Sequence, residues 1–386
     1  MSPDAVDQLP GAPYPWAPSE MPRFRSRPPY LMTEMIAAEP ALAQRLVRGL
    51  RDQDSVAALA AAVRKAAERG SPVVITGCGT SEHAAMAVAE LLTEALDSPP
   101  GHEVRVAEPL AVARRPLRAG VIVGVSHEGG TSATNAALEA ARAAGATTAL
   151  ITVSRGSPGA ALADHVVATE EQDQSWCHTV GYLSPIVAGL VVASRISGTR
   201  LDAAAIHALL DVAHEPRAAA DVAAGLSGID RLVVAGAGTD RVTARELALK
   251  VAEGARLPAE ALELEMVLHG HLAAATRWSG IVVIATDALA GGFAAERLRR
   301  VLEAARALAM PAAALMAEPV SVALDTSLTP AGRIVLPHTG RVRGVAAELL
   351  APVIPMQLLA ERLARGRGVD PDTLGREDPA QAAAHG

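Results

Sequence analysis

Short runs of Val, Ile and Leu alternate along this chain with longer Ala/Leu-rich stretches of helical period. Continuous apolar runs bounded by Gly, Ser and Thr predict strands buried on both faces, as in a parallel sheet. Such runs fall at 73–76, 121–125, 147–152 and 165–168, and again at 232–235, 280–285, 312–316 and 333–336. The Ala/Leu stretches between them predict crossover helices, so the pattern specifies βαβ units. The longest apolar stretch, about 183–196, falls short of the roughly 20 residues a bilayer requires and reads as a buried helix.

The pattern occurs twice. Val73-Val-Ile-Thr-Gly77-Cys-Gly79-Thr-Ser81 lines up with Leu232-Val-Val-Ala-Gly236-Ala-Gly238-Thr-Asp240, 159 residues later. Ile122-Val-Gly-Val125 falls on Ile281-Val-Val-Ile284 at the same spacing, and Leu138-Glu-Ala-Ala-Arg-Ala143 recurs letter for letter at Leu302–Ala307, 164 residues on. A period this long means duplicated domains rather than a solenoid. The expected fold is α/β: two tandem αβα three-layer sandwiches with mostly parallel, flavodoxin-like sheets. The expected organisation is a flexible Pro-rich arm over 1–30, a first domain with a helical lead-in over 31–205, a second over 206–365, and an irregular C-terminal tail over 366–386.

Composition narrows the partners. A net charge of −7 argues against nucleic acid or an anionic membrane as the main partner. The two cysteines, Cys78 and Cys177, have no metal-ligand spacing, which points to a reducing cytoplasm. Aromatic residues make up only 2%, too few for a base-stacking or sugar-stacking platform.

Candidate chemistry gathers where strands hand over to helices. The segments Gly77–Ser81 and Ser126-His-Glu-Gly-Gly-Thr131 carry hydroxyls at predicted helix N-termini, where unpaired N–H groups and the helix dipole favour an anion. The second copy keeps the fold residues but replaces Ser126-His127-Glu128 with Ala285-Thr286-Asp287, so one ligand site per chain is expected. Glu82 and Arg241 stand where a dinucleotide fingerprint needs its third glycine, and no Walker-type Lys-Ser/Thr follows either loop. Neither NAD nor ATP fits.

Gly-Cys-Gly-Thr-Ser after one strand, Ser-x-x-Gly-x-Thr after the next, and a duplicated αβα unit resemble the sugar isomerase (SIS) domains. Within them the chain is similar to the isomerase half of the glucosamine-6-phosphate synthases. The lead-in Leu31-Met-Thr-Glu-Met-Ile-Ala-Ala-Glu-Pro40 resembles the start of that half. Ala248-Leu249-Lys250 leads to Glu253, and His269-Gly270 stands sixteen residues beyond, with Ala259-Glu260-Ala261 in register. The resemblance implies that Glu253 moves a proton between C1 and C2 of an open-chain sugar phosphate, with Lys250 beside it. It implies that His269 opens the ring, acting from a neighbouring subunit of a homodimer whose active site lies near the interface. The implied substrate-binding residues are Gly79, Thr80, Ser81, Ser126, His127, Glu128 and Thr131, with no metal and no organic cofactor. The chemistry is coherent on its own terms, since aldose–ketose conversion needs one carboxylate shuttle and a separate acid/base for the ring oxygen.

Three departures shape the expectation. No segment resembles the glutaminase half, so glutamine hydrolysis is not expected. Arg376 stands where the family has a tail lysine; it keeps the charge but cannot serve as an amine nucleophile. Glu128 puts a carboxylate in a phosphate loop, which is repulsive unless His127 is protonated, Glu128 turns to solvent, or the ligand end bound there is an amine or polyol. The expected function is a phosphosugar or aminosugar-phosphate isomerase or deaminase. The alternatives are a non-catalytic sugar-phosphate-binding regulator and an enzyme acting on an unphosphorylated amino sugar or Amadori compound.

Overall fold

The computed structural model describes residues 25, 27–97, 104–169, 171–212, 216–286, 292–338 and 340–385. Most of the expected arm over 1–30 lies outside these residues, as does Asp287. The described chain forms two compact units that interleave along the sequence. The first takes in Ala38–Gln174 and Val180–His207; the second takes in the residues before Ala38, Ser175–Thr179 and the residues from Ala208 on.

The first unit holds a five-stranded sheet of β1 (Val73–Thr76), β2 (Arg105–Val106), β3 (Val121–Val125), β4 (Thr147–Thr152) and β5 (His165–Ala168). Their order is β2-β1-β3-β4-β5, with every neighbour parallel. Strands β1 and β3 are buried throughout, which is why they read as unbroken apolar runs. The core helix Val180–Ser197, buried from Val180 to Ala193, packs on the helix Thr80–Leu96. Their approach is close: a Cβ on Gly189 would lie 2.6 Å from Val88 Cγ2. This apolar helix is therefore a core element of its unit.

The second unit repeats the plan with β6 (Arg231–Gly236), β7 (Ala259–Glu263), β8 (Ser279–Ala285), β9 (Ala312–Met316) and β10 (Gly332–Val335). Read from its other edge the order is β7-β6-β8-β9-β10, the same arrangement, again wholly parallel. Its core gathers residues such as Ile281, Val283, Leu298, Leu302, Met310 and Met316. The registers carry the duplication as well. Val73 pairs with Val121, and Leu232 pairs with Gly280, both members shifted by the 159 residues of the sequence repeat. Val123 pairs with Ala149 and Val282 with Ala313, so the spacing has grown to 164 by the fourth strand. The extra length falls between β8 and β9, where the crossover helix Gly292–Ala307 has 16 residues against 12 in Ser132–Ala143.

The eight apolar runs are all strands. Two edge strands, β2 and β7, have no counterpart among them. Neither has an apolar run, and both exist because the exposed edges of β1 and β6 offer a ladder to pair with. In sheets of this order the ligand crevice lies at the carboxyl ends of the two strands where the order reverses. These are β1 and β3 in the first unit, and β6 and β8 in the second.

Candidate active site

In the first unit both hydroxyl-rich loops leave that switch point. After β1 the chain turns sharply at Gly77, where a Cβ would lie 2.5 Å from the Ser81 carbonyl oxygen. The turn delivers Gly79, buried Thr80 and half-buried Ser81 to the N-terminus of the helix Thr80–Leu96. After β3, Ser126 is buried and its hydroxyl donates to Thr131 Oγ1 at 3.2 Å, while Thr131 stands directly before the helix Ser132–Ala143. Backbone bonds fix this loop: Val153 N–H donates to the His127 carbonyl at 2.9 Å, and Gly159 N–H to the Gly129 carbonyl at 2.8 Å. Gly79, Thr80, Ser81, Ser126 and Thr131 therefore share the carboxyl edge of one sheet.

The same geometry decides two of the three ways around the Glu128 problem. His127 is buried, and its Nε2 accepts the Asp173 backbone N–H at 2.9 Å. A ring nitrogen that accepts carries no proton, so the imidazole is neutral and does not offset Glu128. Glu128 is half-buried rather than turned out, and its Oε1 accepts from Gln172 Nε2 at 3.4 Å. An uncharged amide steadies the carboxylate within the loop.

The second unit fills its corresponding seat from within. The turn after β6 has the same shape, since a Cβ on Gly236 would lie 2.7 Å from the Asp240 carbonyl oxygen. Asp240, the counterpart of Ser81, is buried, and its two carboxylate oxygens accept the Thr286 N–H at 3.3 and 3.2 Å. Burial pushes its pKa up to about 7 against the opposing pull of the Thr286 bonds. A side-chain carboxylate thus sits on a backbone donor that an external anion would otherwise meet.

The proton-transfer candidates lie on the helix Asp240–Gly254 of this unit. Lys250 is fully buried; its Nζ donates to Glu253 Oε2 at 2.5 Å and lies 3.6 Å from Glu246 Oε1. Burial alone would favour the neutral amine, but Glu253 and Glu246 outweigh it and hold the lysine charged, above its ordinary range. A solvated Lys–Glu pair is the commonest form of this spacing, and this one differs: Glu246 is also fully buried, and Glu253 keeps only 25% of its side chain exposed. His269 is placed differently. Its side chain is 67% exposed, and its Nε2 pairs with Glu265 Oε1 at 3.0 Å rather than with Lys250 or Glu253. Arg297 grips the same Glu265 at 2.8 and 2.7 Å.

Three residues join this cluster that spacing alone did not pick out. Glu246 lies one helical turn before Lys250, a relation visible in the sequence. His178 comes from the segment Ser175–Thr179, and burial together with the Lys250 charge pushes its pKa down to about 4. Trp176 carries the Arg376 guanidinium over its ring at 3.8 Å, so the tail arginine is stacked as well as charged. No periodicity marks these last contacts, because their partners are some two hundred residues apart.

The tail that carries Arg376 is fastened. Asp372 is buried, and its carboxylate accepts the N–H groups of Leu31 at 2.7 Å and Met32 at 2.8 Å, capping the helix Leu31–Leu50. Its carbonyl also accepts the Trp176 N–H at 3.1 Å. Among the described residues no group of three or more His, Cys, Asp or Glu side chains is placed to hold a metal ion.

Two like-ordered parallel sheets with hydroxyl loops at the switch point define a duplicated α/β sugar-binding architecture. Residues 68–194 match the SIS domain, and the chain is an SIS-domain protein homologous to the isomerase domain of glutamine–fructose-6-phosphate aminotransferases. It is 31% identical over 323 residues to the glutamine–fructose-6-phosphate aminotransferase (isomerizing) of Symbiobacterium thermophilum, a match covering 78% of this chain and 50% of that protein. The chain spans about half the length of the curated relatives it matches. The C-terminal domain of glucosamine-fructose-6-phosphate aminotransferase from Francisella tularensis superposes with a TM-score of 0.75 at 17% identity, covering 91% of this chain and all of that one. Glucosamine-6-phosphate deaminase from Thermotoga maritima superposes with a TM-score of 0.66 at 16% identity, over 89% of this chain and 96% of that one. The chain is thus related to sugar isomerases and deaminases.

Proposed function

We propose that this protein is a cytoplasmic, homodimeric isomerase or deaminase of a phosphorylated sugar or amino sugar, without glutamine hydrolysis. The SIS match ends at residue 194, and the identical strand order of the second unit supports extending the reading to it. The observation that carries the proposal is the buried Glu246–Lys250–Glu253 cluster with one partly exposed carboxylate. A fixed ammonium beside Glu253 favours its ionised form, which is the form a base needs. Glu253 would take a proton from the carbon next to the open-chain carbonyl as the carbonyl oxygen gains one, then return it to the adjacent carbon. Ring opening would fall to His269 of a second copy, for which its exposure leaves it available. The hydroxyls of Thr80, Ser81, Ser126 and Thr131, with the helix N-termini behind them, would hold the ligand's anionic end. His127 and Glu128 would shape that seat, and Arg376 would supply a fixed charge rather than a nucleophile.

Deuterium exchange at C2 of fructose 6-phosphate and glucosamine 6-phosphate tests the reading. Wild type should exchange, and Glu253→Gln should lose at least a hundredfold in rate while keeping its fold and ligand binding. Binding without exchange for every sugar phosphate tried would instead favour a non-catalytic regulator. A second reading draws on Glu128, half-buried with no cation of this loop to offset it. It makes the ligand an unphosphorylated amino sugar or Amadori compound whose amine meets that carboxylate. Thermal stabilisation by unphosphorylated amino sugars, with no competition from phosphate, is its signature.

A further inference from the structure

A cleft of about 300 Å³ lies in the first unit, beyond the carboxyl ends of the helices Leu31–Leu50 and Val180–Ser197. Arg51, Arg195 and Arg200 line it with the hydroxyl-bearing Ser194 and Thr199, over a small apolar floor that includes Val47. No carboxylate lines it. The turn that closes it is built: Gly198 takes a left-handed φ of 74°, and Thr199 bonds back to Ser197 through both its hydroxyl, at 3.0 Å, and its N–H, at 3.3 Å.

The three guanidinium groups lack counter-charges. Arg51 donates to the Leu201 carbonyl at 3.3 Å, and among the described residues neither Arg195 nor Arg200 makes an ion pair or hydrogen bond. Two acids neighbour the cleft in sequence. Asp202 is turned to the next helix, where it accepts the N–H groups of Ala204 and Ala205, and Asp52 is exposed and pairs with none of the arginines. The two helix ends supply roughly half a negative charge each. Three arginines against them leave about two positive charges converging on a pocket, in a chain whose net charge is −7. Neutralising helix ends would account for one arginine and does not explain three.

We infer that this cleft is a second binding site, for a compact phosphoryl anion of two or more charges, separate from the hydroxyl loops. Planar guanidinium forks match phosphoryl oxygens, and the two hydroxyls supply neutral contacts beside them. The volume suits one small phosphorylated molecule. The inference does not depend on turnover at Glu253.

Calorimetric titration of the intact protein with inorganic pyrophosphate, at fixed ionic strength, tests it. Wild type should bind one equivalent more than the double variant Arg195→Ala/Arg200→Ala, whose melting temperature without ligand should stay near that of wild type because both side chains are exposed. That equivalent should survive Ser126→Ala/Thr131→Ala. Equal stoichiometry in wild type and the arginine variant, or an equivalent lost only from the loop variant, overturns the inference.

Discussion

At the scale of single residues, buried charge decides most of what is distinctive here. Lys250 sits between two carboxylates that share its helix face. Truncating one partner of a buried pair leaves the others uncompensated, so Lys250→Met should cost about 3–5 kcal/mol in urea unfolding. Adding Glu246→Leu should recover part of that loss; a double variant as unstable as the single one would show that the carboxylate is tolerated alone. Asp240 carries the opposite kind of penalty. Its pKa is raised from 3.8 to about 7, so the folded chain binds this proton more tightly than the unfolded chain does. Its contribution is therefore most favourable at low pH and is lost as pH rises through about 7. Asp240→Asn keeps an oxygen for the Thr286 N–H and removes the charge. Its unfolding free energy relative to wild type should rise by a few kcal/mol between pH 4 and pH 8. A pH-independent difference would mean that Asp240 is comfortably ionised in its seat.

At the scale of elements, the sequence made the strands plain where burial on both faces forced unbroken Val/Ile runs. It hid β7, because Ala259-Glu-Ala-Leu-Glu263 has a composition suited to helix and becomes a strand only by pairing with β6. The site divides in the same way. The Lys250–Glu253 pair follows from helical spacing, and the hydroxyl loops follow from strand-to-helix punctuation. His178, Trp176 and Arg376 converge through packing, which no local pattern encodes. Helix packing supplies its own test. Gly189→Ala places a methyl against Val88 and should cost about 1–3 kcal/mol, seen as a lower melting temperature. Val88→Ala in the same chain should relieve it, and the absence of rescue would locate the strain elsewhere.

At the scale of the whole molecule, duplication has been followed by division of labour. Both units keep one strand order and one turn geometry at the switch point. The first keeps hydroxyls there, and the second closes the seat with its own Asp240. The charged cluster on the Asp240–Gly254 helix belongs to the unit whose seat is closed. One copy was thus released from anion binding while its helix took on a buried ion cluster.

The capping of Leu31–Leu50 by Asp372 bears on how the polypeptide is made. During synthesis from the N-terminus, the first unit is complete once His207 has emerged. The second unit needs residues made near the beginning, Ser175–Thr179 from the middle, and a carboxylate only fourteen residues from the end. The N-terminal donors of one of the earliest helices therefore wait for almost the whole message to be read before their partner exists. Translation that stops early would leave a chain with one finished unit and an open helix end, a form that quality control can tell apart from the completed protein.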